Sequence, residues 1–217
     1  MRILAAILAA AAALPGLAAS PHHAVIETSI GNVTVELDAK NAPKSVRAFA
    51  AYAKAGAYDN TAFHRVVKDF VVQGGEYTLR ADSGEPWPVW PSVQVAPFAP
   101  EERNGLRNRR ATIAMTRGNA SRHGMAPNGF FFNLRDNDFL DYRHFESDTP
   151  VATPRGPQVV PAGTEIEGYA VFGRVVSGWE VVERIAQVPV TRSRPPHEHL
   201  PVTPVLVKRV RLLSAQW

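Results

Sequence analysis

The guanidinium of Arg65 and the side-chain amide of Gln73 stand among hydrophobic residues in the stretch Phe63-His64-Arg65-Val66-Val67-Lys68-Asp69-Phe70-Val71-Val72-Gln73-Gly74-Gly75-Glu76. The pattern reads as two short strands joined by a polar turn. Strict alternation puts Phe63 and Arg65 on one face of the first strand and Val71 and Gln73 on one face of the second. A cation and an amide then share an apolar surface, and an unpaired buried charge costs several kcal/mol. Such a face is either an internal polar network or a groove that receives a ligand. The double glycine favours the groove, because Gly74-Gly75 lets the backbone turn sharply or lets another chain come close.

Phe63-His64-Arg65-Val66, followed by Phe70-x-x-Gln73-Gly74-Gly75, resembles the signature of the cyclophilins, peptidyl-prolyl cis-trans isomerases built on a closed barrel. Two further blocks are similar to the bacterial periplasmic branch of that family. One runs from Asn104-Gly105-Leu106-Arg107-Asn108 through Thr112-Ile113-Ala114-Met115 and Phe131-Phe132-Asn133 to Asp136-Asn137-x-Phe139-Leu140-Asp141; the other is Gly168-Tyr169-Ala170-Val171-Phe172-Gly173-Arg174-Val175. The resemblance implies an all-β fold, a closed eight-stranded antiparallel cyclophilin-like barrel capped by two α-helices.

It also implies a reaction. Rotation about an X-Pro bond faces a barrier of about 20 kcal/mol because twisting removes amide resonance. No covalent bond has to form; the catalyst only has to bind the twisted amide better than either planar isomer. By resemblance Arg65 supplies the fixed donor to that amide, and Gln73 bonds the peptide backbone and orients Arg65. Phe70, Val71, Phe132 and Leu140 wall a pocket for the proline ring. Phe139 falls where eukaryotic members carry tryptophan and Tyr169 where they carry histidine. Thr116 and Arg117 align with the segment that receives the residue before proline. No cofactor and no metal is implied. Three positions depart from the family pattern: Val71 replaces a methionine, Phe130 replaces a glutamine that reaches into the groove, and Ala111 stands where glycine is frequent.

The rest of the chain is consistent with one globular domain. Its 217 residues, 45% hydrophobic and 20% charged, suffice for a sizeable core. Met1-Arg2, an alanine-rich apolar run over residues 3–17 and small residues from Gly16 to Ser20 follow the plan of a secretory leader, so residues 1–19 are expected to be cleaved after Ala18 or Ala19. That leaves residues 20–217 as a single periplasmic or secreted domain. The apolar run is shorter than the about 20 residues a spanning helix needs, and stable membrane insertion is not expected. With no cysteine in the chain, neither disulfides nor a lipidated thiol can form.

The basic run Arg103-Asn104-Gly105-Leu106-Arg107-Asn108-Arg109-Arg110, in a chain of pI 9.6, raises the question of nucleic acid. It lacks interleaved aromatics and a recognised motif, so nucleic acid is not expected as a partner, and the run reads as a solvated loop. His197-Glu198-His199 lacks an identifiable third ligand for zinc. The partners expected are proline-containing unfolded or extended polypeptides, with the protein acting as a monomer.

A hairpin around Ile30-Gly31-Asn32, a helix opened by Pro43 with Val46, Phe49, Ala50 and Ala53 on one face, a second helix burying Trp179, Val182 and Ile185, and a closing strand over residues 202–213 supply the barrel and its caps. Residues 80–100, dense in proline, read as an irregular loop. Residues 142–167 read as a loop insertion. Two other functions compete with isomerisation. A proline-segment-binding chaperone or scaffold would hold peptide with little or no turnover. A small-ligand carrier barrel would need a deep closed cavity.

Overall fold

The computed structural model describes residues 22–79, 81, 86–88, 93, 95–117, 126–153, 156–191 and 199–213. The leader, Trp90 and the His197-Glu198 pair lie outside them.

Eight strands close into an antiparallel barrel: β1 (His22–Thr28), β2 (Gly31–Leu37), β3 (Thr61–Val67), β4 (Val71–Gly74), β7 (Thr112–Met115), β8 (Phe130–Asn133), β13 (Val171–Ser177) and β14 (Leu206–Leu212). The order around the wall is β1-β14-β3-β4-β8-β7-β13-β2, and β2 pairs back onto β1. The last strand therefore zips against the first, which leaves the sheet without an unpaired edge. Between β4 and β7, β5 (Tyr77–Leu79) pairs with β6 (Pro86–Pro88) as a small ribbon whose second strand lies inside the stretch read as irregular. Among the described residues two α-helices, α1 (Pro43–Lys54) and α2 (Trp179–Ala186), pack on the barrel. No helix among the described residues is long and apolar enough to cross a membrane.

Period-two burial builds the barrel interior. Val33, Val35 and Leu37 of β2 face inward, as do Phe130 and Phe132 of β8. Phe49 of α1 closes this space, its ring 5.1 Å from Tyr58, 6.0 Å from Phe130 and 5.4 Å from Phe172. Side chains fill the barrel, so a carrier's closed cavity is not what this interior provides. Ala42, just before α1, offers no side-chain cap. The carboxylate of Glu101 serves instead, accepting from the Lys44 and Ser45 backbone N–H groups and from the Ser45 hydroxyl at 2.7–3.0 Å.

The insertion is not an unstructured loop. β9 (Arg143–His144) pairs with β12 (Glu165–Ile166), and beyond them β10 (Thr149–Thr153) pairs with β11 (Gly156–Val160), giving a two-tier ribbon. The arginines of the basic run also differ from a free solvated loop. Arg103 pairs with Glu165 of the ribbon, Arg107 with Asp141 at 3.0 Å, Arg109 with Asp136 and Asp138 at 3.1 and 2.6 Å, and Arg110 with Glu183 of α2 at 2.8 Å.

Candidate active site

The pairing of β3 with β4 decides what reaches the outer surface of the barrel. Phe63 opposes Gly74 and Arg65 opposes Gln73, so β3 spends one extra residue, His64, in a β-bulge. The bulge resets the alternation. Phe63 and Val66 are buried at 0% and 2% exposure in the core, whereas His64 and Arg65 both line an outer cleft. Phe63 and Arg65 therefore lie on opposite faces, which corrects the strict period-two reading. On β4 the alternation holds: Val72 is core, and Val71 and Gln73 line the cleft.

The cleft measures about 490 Å³. Among the described residues the Arg65 guanidinium has no carboxylate partner; its Cζ lies 5.7 Å from the centre of the Phe70 ring. Val71, Leu140, Tyr169, Thr116 and Arg117 line the same cleft. Phe132 does not. It is fully buried in the core, and Phe131 lines the cleft instead, its ring 5.4 Å from Tyr169 in an edge-to-face arrangement. Three consecutive phenylalanines carry no alternation to read. The register of β8 against β4, with Phe132 opposite Val72, sends the first and third inward and the second outward. Phe130 is likewise core, so it does not replace a groove residue. Phe139 is 52% exposed and stacks on the Phe70 ring at 5.5 Å, buttressing that ring without lining the cleft.

A buried carboxylate closes one end. Glu76, 4% exposed, accepts from the Thr116 hydroxyl at 2.7 Å and from Gln73 Nε2 at 3.1 Å, and His64 Nε2 lies 3.6 Å away. Burial pushes the Glu76 carboxyl above the usual carboxylate range, although the bonds from Thr116 and Gln73 hold it partly down. Its neighbour Gly129 leaves it room: a Cβ there would fall 2.2 Å from Glu76 Cγ.

The opposite end is held by amides. Asn108 and Asn133 are fully buried, as is Asn137. Asn133 donates to Asn108 Oδ1 at 3.1 Å and accepts from Asn137 at 2.8 Å. Asn137 also donates to the Phe70 carbonyl, and Asn108 to the carbonyls of Leu140 and Tyr169, at 3.1–3.2 Å. Asp141 anchors Asn108 through its backbone N–H at 2.7 Å. Three cleft residues thus hang on one internal network. Arg117 lies 5.2 Å from the Tyr169 ring centre, held by Glu167 and by the Gly168 carbonyl.

Sequence reasoning brought Arg65, Gln73, Phe70, Val71, Leu140, Tyr169, Thr116 and Arg117 to one place, and missed Phe131, Glu76, His64 and the asparagines. Glu76 had a signal, since a carboxylate directly after the double glycine of a groove-forming motif must either fold back or leave. The asparagines sat in the quoted blocks without periodicity to mark them as interior.

Known proteins resemble the chain along most of its length. The profile described as "Cyclophilin type peptidyl-prolyl cis-trans isomerase/CLD" matches residues 23–207. The chain is 38% identical over 193 residues to "Peptidyl-prolyl cis-trans isomerase cyp18" of Streptomyces antibioticus, covering 87% of this chain and 97% of that one. It is 36% identical over 219 residues to "Peptidyl-prolyl cis-trans isomerase A" of Dickeya dadantii, covering 98% of each. The fold is similar to a crystal structure of a Cryptosporidium parvum cyclophilin type peptidyl-prolyl cis-trans isomerase, with a TM-score of 0.58 at 21% identity over 90% of this chain and 99% of the other. A profile match over most of the chain and relatives this similar along their full length make the chain a member of the cyclophilin-type peptidyl-prolyl cis-trans isomerase family.

Proposed function

We propose that the protein accelerates X-Pro rotation in extended segments of exported polypeptides, by non-covalent stabilisation of the twisted amide in the Arg65 cleft. The observation that carries this reading is an arginine without a carboxylate partner among the described residues, facing a cleft in which the apolar surface of Phe70, Val71, Phe131 and Leu140 lies beside the polar groups of Gln73 and Thr116. A planar amide nitrogen shares its lone pair with the carbonyl. On twisting, that pair returns to nitrogen, which becomes an acceptor that neither planar isomer offers. A donor fixed before the substrate arrives binds the twisted form preferentially, and low dielectric strengthens the contact. Phe70 faces the Arg65 guanidinium at 5.7 Å, while Phe131, Val71 and Leu140 offer apolar surface to the pyrrolidine. Val71 is shorter than a methionine and leaves that pocket wider. Thr116 and Arg117 lie where the residue before proline would pass.

Magnetisation exchange between cis and trans signals of a proline tetrapeptide tests the reading. Exchange faster than in buffer at catalytic protein concentration supports it. Peptide line broadening without accelerated exchange would instead establish a binder of proline segments.

A further inference from the structure

Two acceptor oxygens, two donors and a missing side chain meet at the Glu76 end of the cleft. Glu76 directly follows the turn at Gly75, whose φ of 91° lies in the left-handed region that glycine tolerates. That turn folds residue 76 back over residue 73. An ionised carboxylate can only accept, so each of its contacts has a defined direction: Thr116 Oγ1 donates to one oxygen and Gln73 Nε2 to the other. The nitrogen and oxygen of a primary amide diverge from one carbon. With Nε2 turned inward, Oε1 of Gln73 must face away from Glu76, into the cleft that Gln73 lines opposite its register partner Arg65. The arrangement excludes any residue with a Cβ at position 129, which would overlap Glu76 Cγ at 2.2 Å and Thr116 Oγ1 at 2.4 Å.

We propose that Glu76 is a positioning residue: it locks the Gln73 amide so that Gln73 presents an acceptor, not a donor, to the Arg65 guanidinium and to the N–H groups of the bound chain. This inference rests on the reading that the X-Pro segment binds in this cleft. A reversed amide would present a donor beside a cationic donor, a mismatch for Arg65 and a poor partner for a backbone N–H. A neutral acid or amide at position 76 has a donor of its own and no longer enforces one orientation. The groups facing Glu76 that titrate or carry charge are His64 of β3 at 3.6 Å, with Tyr77 of β5 against its ring, and Tyr58 after α1, while Arg65 and Arg117 line the same cleft.

The test combines the side-chain amide resonances of Gln73 in 15N-labelled full-length protein with peptide exchange rates, both followed from pH 7 downward, in wild type, Glu76→Gln, Glu76→Asp and His64→Gln. In wild type the Gln73 Nε2 protons are expected to shift as Glu76 protonates, and kcat/KM to fall with them. Glu76→Gln is expected to lose about tenfold in kcat/KM at pH 7, the loss expected for one charge-assisted bond, and to show no acid limb. Glu76→Asp retains the charge and recovers part of the activity, and His64→Gln keeps the acid limb. Gln73 resonances that ignore pH in wild type overturn the proposal, and that measurement needs neither turnover nor a folded variant. A folded Glu76→Gln enzyme with wild-type rate and pH profile overturns it too. Absence of any exchange in wild type would sink the functional reading alone, leaving the amide titration to decide the orientation.

Discussion

Single residues in this barrel carry opposed stability and functional demands. Glu76 is an acid whose folded-state pKa is raised, first by burial. Such a group binds its proton more tightly when folded, so its stability contribution is full below the unfolded pKa and is lost as pH rises through the folded value. Glu76→Gln removes that loss. Thermal unfolding should place the variant higher relative to wild type at pH 7 than at pH 4, even as exchange activity falls, and parallel melting curves at both pH values would contradict the burial cost. Ala111 presents a simpler case. Its φ of 69° is left-handed, and it directly precedes β7, with its N–H bonded to the Asn133 carbonyl at 2.9 Å. Asn60 and Asp69 share the left-handed region but belong to types that tolerate it. Ala111→Gly should therefore stabilise the fold by about 1 kcal/mol, or about 3 °C in Tm for a domain of this size; an unchanged or lowered Tm would show that the extra backbone freedom of glycine outweighs the relieved strain.

At the scale of elements, the bulge in β3 is what turns Arg65 of a core strand out into the cleft. Without the extra residue at His64, Arg65 would follow Phe63 into the barrel. That bulge was not legible in the sequence, because a period-two rule assumes an unbroken ladder and a bulge is a matter of pairing between strands. The same limit explains Phe132. A run of three identical apolar side chains reports that both faces of β8 are covered, and only its register against β4 says which ring faces the cleft. By contrast α1 and the β1-β2 hairpin were legible almost to the residue, since apolar spacing, Pro43 and the glycine-containing turn are local signals, whereas the closing strand begins at Leu206 and not at residue 202. The asparagine network had no periodic signal, yet it holds the carbonyls of Phe70, Leu140 and Tyr169. Asn133→Ala should leave buried donors and acceptors unpaired, costing about 2 kcal/mol in denaturant unfolding, and should weaken peptide binding through the loosened cleft wall. The ribbon of residues 142–167 divides by function. Its base supplies Glu165 and Glu167 to Arg103 and Arg117, whereas among the described residues β10 and β11 pair only with each other. Replacing residues 149–160 by a short glycine turn should leave Tm and exchange rate unchanged, and a loss of activity would assign the tip to substrate binding.

For the whole molecule, closure of the barrel and filling of its interior leave the outer surface for binding, where the proposed site is the cleft beside β3, β4 and β8. Charge follows the same economy. The chain carries a formal net charge of +4, but the arginines of its most basic run are neutralised locally by Asp136, Asp138, Asp141, Glu165 and Glu183. Duplex DNA should accordingly show no retention of the protein at physiological salt, where sequence-independent binding depends on free cations meeting phosphates. The central claim concerns one cation placed to meet the twisted amide. Magnetisation exchange on a proline peptide, compared between wild type and Arg65→Ala at matched folding and with peptide affinity measured in parallel, tests it most directly. The account predicts that Arg65→Ala loses about a hundredfold in kcat, as expected for removal of one preorganised donor, while peptide affinity changes only a few-fold. Undiminished exchange in a folded Arg65→Ala protein would contradict it.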